Sequence, residues 1–171
     1  MRRNIYGDII VTTSDYISLI RTELSTSIKH KINVNYGSSY GFSLDDIVLP
    51  KTGLYALYKD DNLIYIGCTM NSIHKRLSRF IAAVRGTESK YENHSAAYKY
   101  LEHFGNNLDD LYVRFSSLNP SDLYDNIAIE EIEKIIISEM KPFFNDQTYK
   151  NYNFDHKIVI LDKLTGSINY A

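Results

Sequence analysis

Tryptophan is absent from this 171-residue chain, cysteine occurs once and proline only three times. A lone cysteine, Cys68, cannot close an internal disulfide, and no Cys/His spacing fits a zinc site, so neither a disulfide framework nor a zinc module is expected and a reducing compartment is. Long apolar runs are missing as well. No stretch reaches the length and apolarity of a membrane span or a secretory core, which predicts a protein of the cytoplasm with no membrane partner. An excess of positive charge is lacking too: 19 Lys and Arg face 21 acidic residues, for a net charge of -2. Duplex binding is driven by neutralising phosphates, so overall composition does not point to nucleic acid.

What is present is enough apolar material for one core, at 44% hydrophobic residues, and 15 tyrosines. Usage rich in Tyr, Asn, Ile and Lys accompanies A+T-rich coding and suggests a phage, a mobile element or a low-GC bacterium, hence a prokaryotic or virus-infected cell. Positive charge is concentrated locally. The segment 74–85 carries Lys75, Arg76, Arg79 and Arg85 with no acidic residue, and a local positive groove of this kind can exist on a nearly neutral protein.

No internal repeat or low-complexity tract is visible, and Gly, Pro and Asn punctuate the chain at 37, 50, 53, 86, 105, 119–120 and 142. Residues 1–49 read as an N-terminal extension: a short β-like run at 8–12, then Ser14-Asp15 capping a helix from Tyr16 to about Ile32. Residues 54–59 and 63–66, rich in aliphatic and tyrosyl side chains around Asp60-Asp61-Asn62, predict a β-hairpin. From 71 or 72, Ile73, Leu77, Phe80, Ile81 and Val84 keep helical spacing as far as Gly86. A second helix is predicted over about 94–103, a strand over 111–115, and a last helix beginning at Asn119-Pro120.

That last helix holds a conflict. Ile129, Ile132, Ile136, Ile137 and Met140 form one apolar stripe, and Glu133 falls near its middle. An uncompensated buried carboxylate costs several kcal/mol, about the whole stability margin of a small domain. Glu133 therefore calls for a cation, either a metal ion or an arginine.

Taken together, Gly53-Leu54-Tyr55, Tyr65-Ile66-Gly67, the helix bearing Lys75-Arg76-Leu77, and Glu133 followed by Pro142 and Asn145 resemble, in order and spacing, the GIY-YIG endonuclease family, as in the nuclease domain of an excinuclease. The likeness covers about residues 51–146. It implies an α+β fold with a small three-stranded antiparallel sheet flanked by helices over 50–146; the N-terminal helical extension and a short tail at 147–171, expected to pack on or near the domain, lie outside the likeness. It further implies metal-dependent cleavage of DNA, by nicking or double-strand cutting, in a small phage, mobile-element or restriction-type enzyme acting as a monomer or homodimer. Tyr55 would orient the attacking water or act as general base, Tyr65 would supply a second hydroxyl, Arg76 would hold the scissile phosphate and Glu133 would bind Mg²⁺ or Mn²⁺. Lys75, Arg79 and Arg85 would add phosphate contacts, and Gly53, Gly67, His74 and Asn145 would support the site.

Two positions depart from the pattern. Many members carry Tyr or His one turn after the arginine, where this chain has Phe80, and several carry a lysine where this chain has Cys68. A catalytically impaired nucleic-acid-binding module, or a nuclease acting on RNA or branched DNA, is the competing expectation. The bland readings are a hairpin with ordinary surface tyrosines, an Arg76–Glu133 salt bridge without metal, an Asn145 that ties the chain, and a Cys68 without a role.

Overall fold

The computed structural model describes residues 2–3, 9–10, 13–35, 41–44, 52–86, 95–116 and 126–145. Among them are the strands β1 (Arg2–Arg3), β2 (Ile9–Ile10), β3 (His30–Val34), β4 (Phe42–Leu44), β5 (Gly53–Lys59), β6 (Asn62–Thr69) and β7 (Leu111–Phe115), and the helices α1 (Thr13–Thr26), α2 (Ile73–Val84), α3 (Ser95–Phe104) and α4 (Asn126–Met140). The fold is α+β, built on an antiparallel open sheet of five strands in the order β4-β3-β7-β5-β6.

The three strands expected from sequence are β5, β6 and β7, and they lie side by side. The sheet is nevertheless wider than the expected three strands. The helix expected to reach Ile32 ends at Thr26, and His30–Val34 instead pairs with β7 and with β4. Helical periodicity misleads here because Lys-Ile-Asn-Val alternates as a strand does, with Ile32 turned inward at 2% exposure. The start of the last helix at Asn119-Pro120 and the tail at 147–171 lie outside the described residues.

Every residue of β5 is buried. A strand in the middle of a covered sheet needs apolar side chains on both faces, and Leu54-Tyr55-Ala56-Leu57-Tyr58 provides them without alternation. One face, with Tyr55, Leu57, Ile64 and Val113, packs against α2 and α3 through Leu77, Phe80, Ile81 and Tyr100. The opposite face, with Leu54, Ala56, Tyr58 and Ile66, packs against α1 and α4 through Ile20, Leu24, Ile132 and Ile136. The buried side of α4 is broader than its predicted stripe, since Ile135 is also fully covered. Arg21 of α1 and Glu139 of α4 pair at 2.8 Å on the outside.

The β5–β6 hairpin turns through Asp60, which takes a left-handed conformation at φ 55, tolerable for aspartate. Strand β6 lies at the sheet edge, and its outer side is covered by the chain that follows α4. Lys141 stops that helix at φ 50 and Pro142 prevents its resumption. Phe143 and Phe144 then donate their backbone N–H groups to the carbonyls of Leu63 and Ile64, at 3.3 and 2.8 Å.

Candidate active site

Between the end of β6, the first turns of α2 and the N-terminal half of α4 lies a cleft of about 840 Å³, lined by Cys68, Thr69, Ser72, Lys75, Arg76, Arg79, Glu130, Glu133 and Lys134, among others. Its shape begins with hydroxyl chemistry. Thr69 Oγ accepts from the backbone N–H groups of Asn71 and Ser72, at 3.2 and 3.4 Å, and orders the loop. Ser72 then caps α2, its hydroxyl accepting from Lys75 N at 3.2 Å while its carbonyl accepts from Arg76 N at 3.0 Å. The cap fixes the helical turn that presents Lys75 and Arg76. Lys75, Arg76 and Arg79 line the cleft against Glu130 and Glu133, with Lys134 paired to Glu131 at 2.8 Å, so its local balance is slightly positive where the whole chain is negative.

The two glycine-tyrosine triplets form one unit. In the β5–β6 register Tyr55 stands opposite Gly67, and its phenol lies over that glycine. A Cβ at Gly67 would come within 2.7 Å of the Tyr55 hydroxyl, 2.8 Å of its ring and 2.8 Å of the Tyr65 ring. Both tyrosines point to the α2 side, with ring centroids 6.2 Å apart. Gly53 opens β5 at φ 132, a conformation reserved for glycine. Arg76 descends from α2 onto the tyrosines and hydrogen-bonds with both phenols, while its buried Nε makes no hydrogen bond.

Burial raises the Tyr55 phenol well above its ordinary pKa, with the neighbouring Tyr65 adding to the rise and the charge and hydrogen bond of Arg76 opposing it. Burial also pushes Tyr65 up, to about 12. Both are therefore protonated at neutral pH in this arrangement. Glu133 is half-buried, and burial drives its carboxyl pKa up while the thiol and backbone N–H of Cys68 and the charge of Arg76 pull it down; the net shift is upward. Its carboxylate is thus incompletely compensated, the condition in which a bound cation is favoured.

Among the described residues no group of three or more His, Cys, Asp or Glu side chains could hold a metal ion. A lone desolvated carboxylate still suits a hard divalent ion that keeps most of its ligands as water and substrate phosphate, in the way Mg²⁺ commonly binds. The orphaned Nε of Arg76 is in turn a donor awaiting an anion. Residues and group fit.

Of the residues picked out in the sequence, the structure brings together Tyr55, Tyr65, Gly67, Lys75, Arg76, Arg79 and Glu133. Arg85 is not among them. It ends α2 and faces a separate hollow of about 570 Å³ with Lys31, Asn33 and Asn107. His74 turns from the cleft and stacks on Phe42 at 5.9 Å, and burial lowers its pKa. Phe80 is core, 1% exposed and edge-on to Tyr100. Asn145 ties the edge strand: its amide accepts from Ile66 N and donates to Ile66 O, both at 2.8 Å. Among the lining residues that carried no sequence expectation of a role are Cys68 and Lys134. Strand alternation already puts Cys68 on the face opposite Gly67, the α4 face, and that was the signal for it.

No family model matches the chain, and neither a curated protein nor a solved structure is significantly similar to it. Among the described residues, no helix is long and apolar enough to cross a membrane.

Proposed function

We propose that this chain is a metal-dependent endonuclease that hydrolyses DNA phosphodiester bonds with a GIY-YIG-type centre. The observation that carries the reading is Arg76, which lines a basic cleft together with Glu133 and also hydrogen-bonds to both triplet tyrosines packed behind it. These residues come from four elements, and an ordinary folding core has no need to converge them.

Hydrolysis requires an in-line water, cover for charge on the phosphoryl oxygens, and help for the leaving oxygen. Arg76 has an unpaired Nε for a phosphate oxygen, and its other donors are steadied by the phenols. Lys75 and Arg79 hold the flanking backbone at the cleft mouth. Tyr55 and Tyr65, protonated at rest, position the water through their hydroxyls. Glu133 would hold Mg²⁺ or Mn²⁺, which supplies Lewis-acid stabilisation of the developing charge.

Supercoiled plasmid incubated with Mg²⁺ or Mn²⁺ tests this. Wild-type protein is expected to nick or linearise it, and Glu133→Ala and Arg76→Ala proteins to leave it intact. A second reading, a nucleic-acid-binding module that has kept the arrangement without cutting, is favoured by Phe80, a core side chain one turn past Arg76 that has no group able to carry a proton. Plasmid left whole by all three proteins, with a gel shift still present, selects that reading. Cleavage of RNA or branched DNA alone would move the substrate class.

A further inference from the structure

Consecutive residues of β6 serve opposite sides of the sheet. Gly67 gives room to Tyr55 on the α2 face, and Cys68, paired in register with Leu54, turns to the α4 face and meets Glu133. The Cys68 thiol donates to Glu133 Oε2 at 3.3 Å, and the Cys68 backbone N–H also donates to the carboxylate. A thiol is a weak donor and is small enough to fit a half-buried strand position beside a carboxylate without forming an ion pair with it.

We propose that Cys68 is a positioning residue for the centre, its thiol holding the Glu133 carboxylate in the rotamer that faces the cleft. The role rests on the reading of Glu133 as the metal-binding carboxylate. A glutamate has three side-chain torsions, and on a helix it can swing clear of the cleft; a donor fixed on a strand of the central sheet removes that freedom. The thiol does this without bringing a second positive charge, so the negative charge of Glu133 is left for a cation. Because β6 is the strand whose neighbouring residue seats Tyr55, one rigid segment sets the spacing between the tyrosine half and the carboxylate half of the site.

Cys68→Ala removes the side-chain donor, and Cys68→Ser restores a donor at nearly the same volume. Mn²⁺ binding to the full chain, followed without nucleic acid by the electron paramagnetic resonance of free Mn²⁺, is the readout independent of turnover, with thermal melting as the check on folding. Cys68→Ala is expected to weaken Mn²⁺ about tenfold, the lower end of the loss typical when a partner of a metal ligand is removed. Cys68→Ser is expected to recover most of that affinity, and the Mn²⁺ requirement for plasmid nicking should shift in parallel, with the rate at saturating metal little changed. Equal affinity in wild type and Cys68→Ala, or a Cys68→Ser protein as weak as Cys68→Ala with normal melting, overturns the positioning role and leaves the nuclease reading standing. A wild-type protein that neither binds Mn²⁺ nor cuts overturns both.

Discussion

The phenol of Tyr55 occupies the space that a side chain at Gly67 would need, its hydroxyl 2.7 Å from the position of a Cβ there. The second triplet thus ends in glycine because the first ends in tyrosine. Both rings are packed, Tyr55 at 1% exposure, so neither can step aside cheaply. Gly67→Ala is expected to cost about 1–3 kcal/mol, the usual penalty of overpacking, measurable by urea denaturation. Plasmid nicking should fall by more than the lost stability explains. A variant as stable as wild type would contradict the packing described.

Asn145 makes two hydrogen bonds to a single residue, Ile66. Asn145→Ala should leave both backbone groups of Ile66 without these partners, at about 1–3 kcal/mol. Asn145→Asp should do no better, because it keeps the acceptor but sets a carboxylate against the Ile66 carbonyl. Amide hydrogen exchange at Ile66 reports it directly: protection should drop in both variants, and undiminished protection would show the clamp to be dispensable.

Glu133 sets its proposed metal-binding role against stability. Its folded-state pKa lies above the unfolded value, so the native protein binds more protons than the unfolded chain as this carboxyl titrates. Its contribution therefore favours the fold in acid and is lost as pH rises through the folded pKa. Glu133→Gln is expected to be at least as stable as wild type at pH 7, with a weaker pH dependence of stability over the carboxyl range, yet to lose cleavage by about 10²-fold or more. Mg²⁺ at a hundred times its Kd should stabilise wild type by about 2.7 kcal/mol and leave Glu133→Gln unmoved. A destabilised Glu133→Gln protein would mean that the carboxylate serves the fold.

Tyrosine ionisation can be followed by absorbance near 295 nm. Exposed tyrosines titrate near their ordinary value, whereas Tyr65 is held up to about 12 and Tyr55 is raised as well. Replacing either by Phe should leave the titration unchanged up to about pH 10. The native state keeps these protons while the unfolded chain releases them, so stability should decline as pH rises past the ordinary tyrosine range. A pH-dependence of cleavage near neutrality should persist in Tyr65→Phe if any activity remains. Early loss of a titrating group in Tyr55→Phe would restore a phenolate base as the working species.

Periodicity and punctuation revealed α2, α3 and the β5–β6 hairpin because each is stabilised mainly by local signals: a Ser72 cap, an apolar stripe, a turn at Asp60. Strand β3 was missed because its short alternation follows directly on a helical stretch and its pairing with β7 joins His30 to Val113, a separation that local periodicity does not report. The conflict at Glu133 was legible because a carboxylate within an isoleucine stripe is costly wherever it occurs. Its contact with Cys68 was not, since it depends on how α4 lies across the sheet. Arg85 belongs to the same basic run as Arg76, but the two lie nine residues apart along α2, and the turn of the helix sends them to different hollows.

The clamp on β6 also has a schedule. Ile66 and Asn145 are 79 residues apart in the chain, and at 5–20 residues per second a ribosome needs roughly 4–16 s to supply the second after the first. During that interval the hairpin has been made but its outer edge has no partner, and an open edge of aliphatic and tyrosyl residues is a template for pairing with another chain. Glu133 is synthesised only twelve residues before the clamp. A nascent chain of this protein is therefore at its stickiest while it still lacks Glu133, and it gains that carboxylate and its protection almost together.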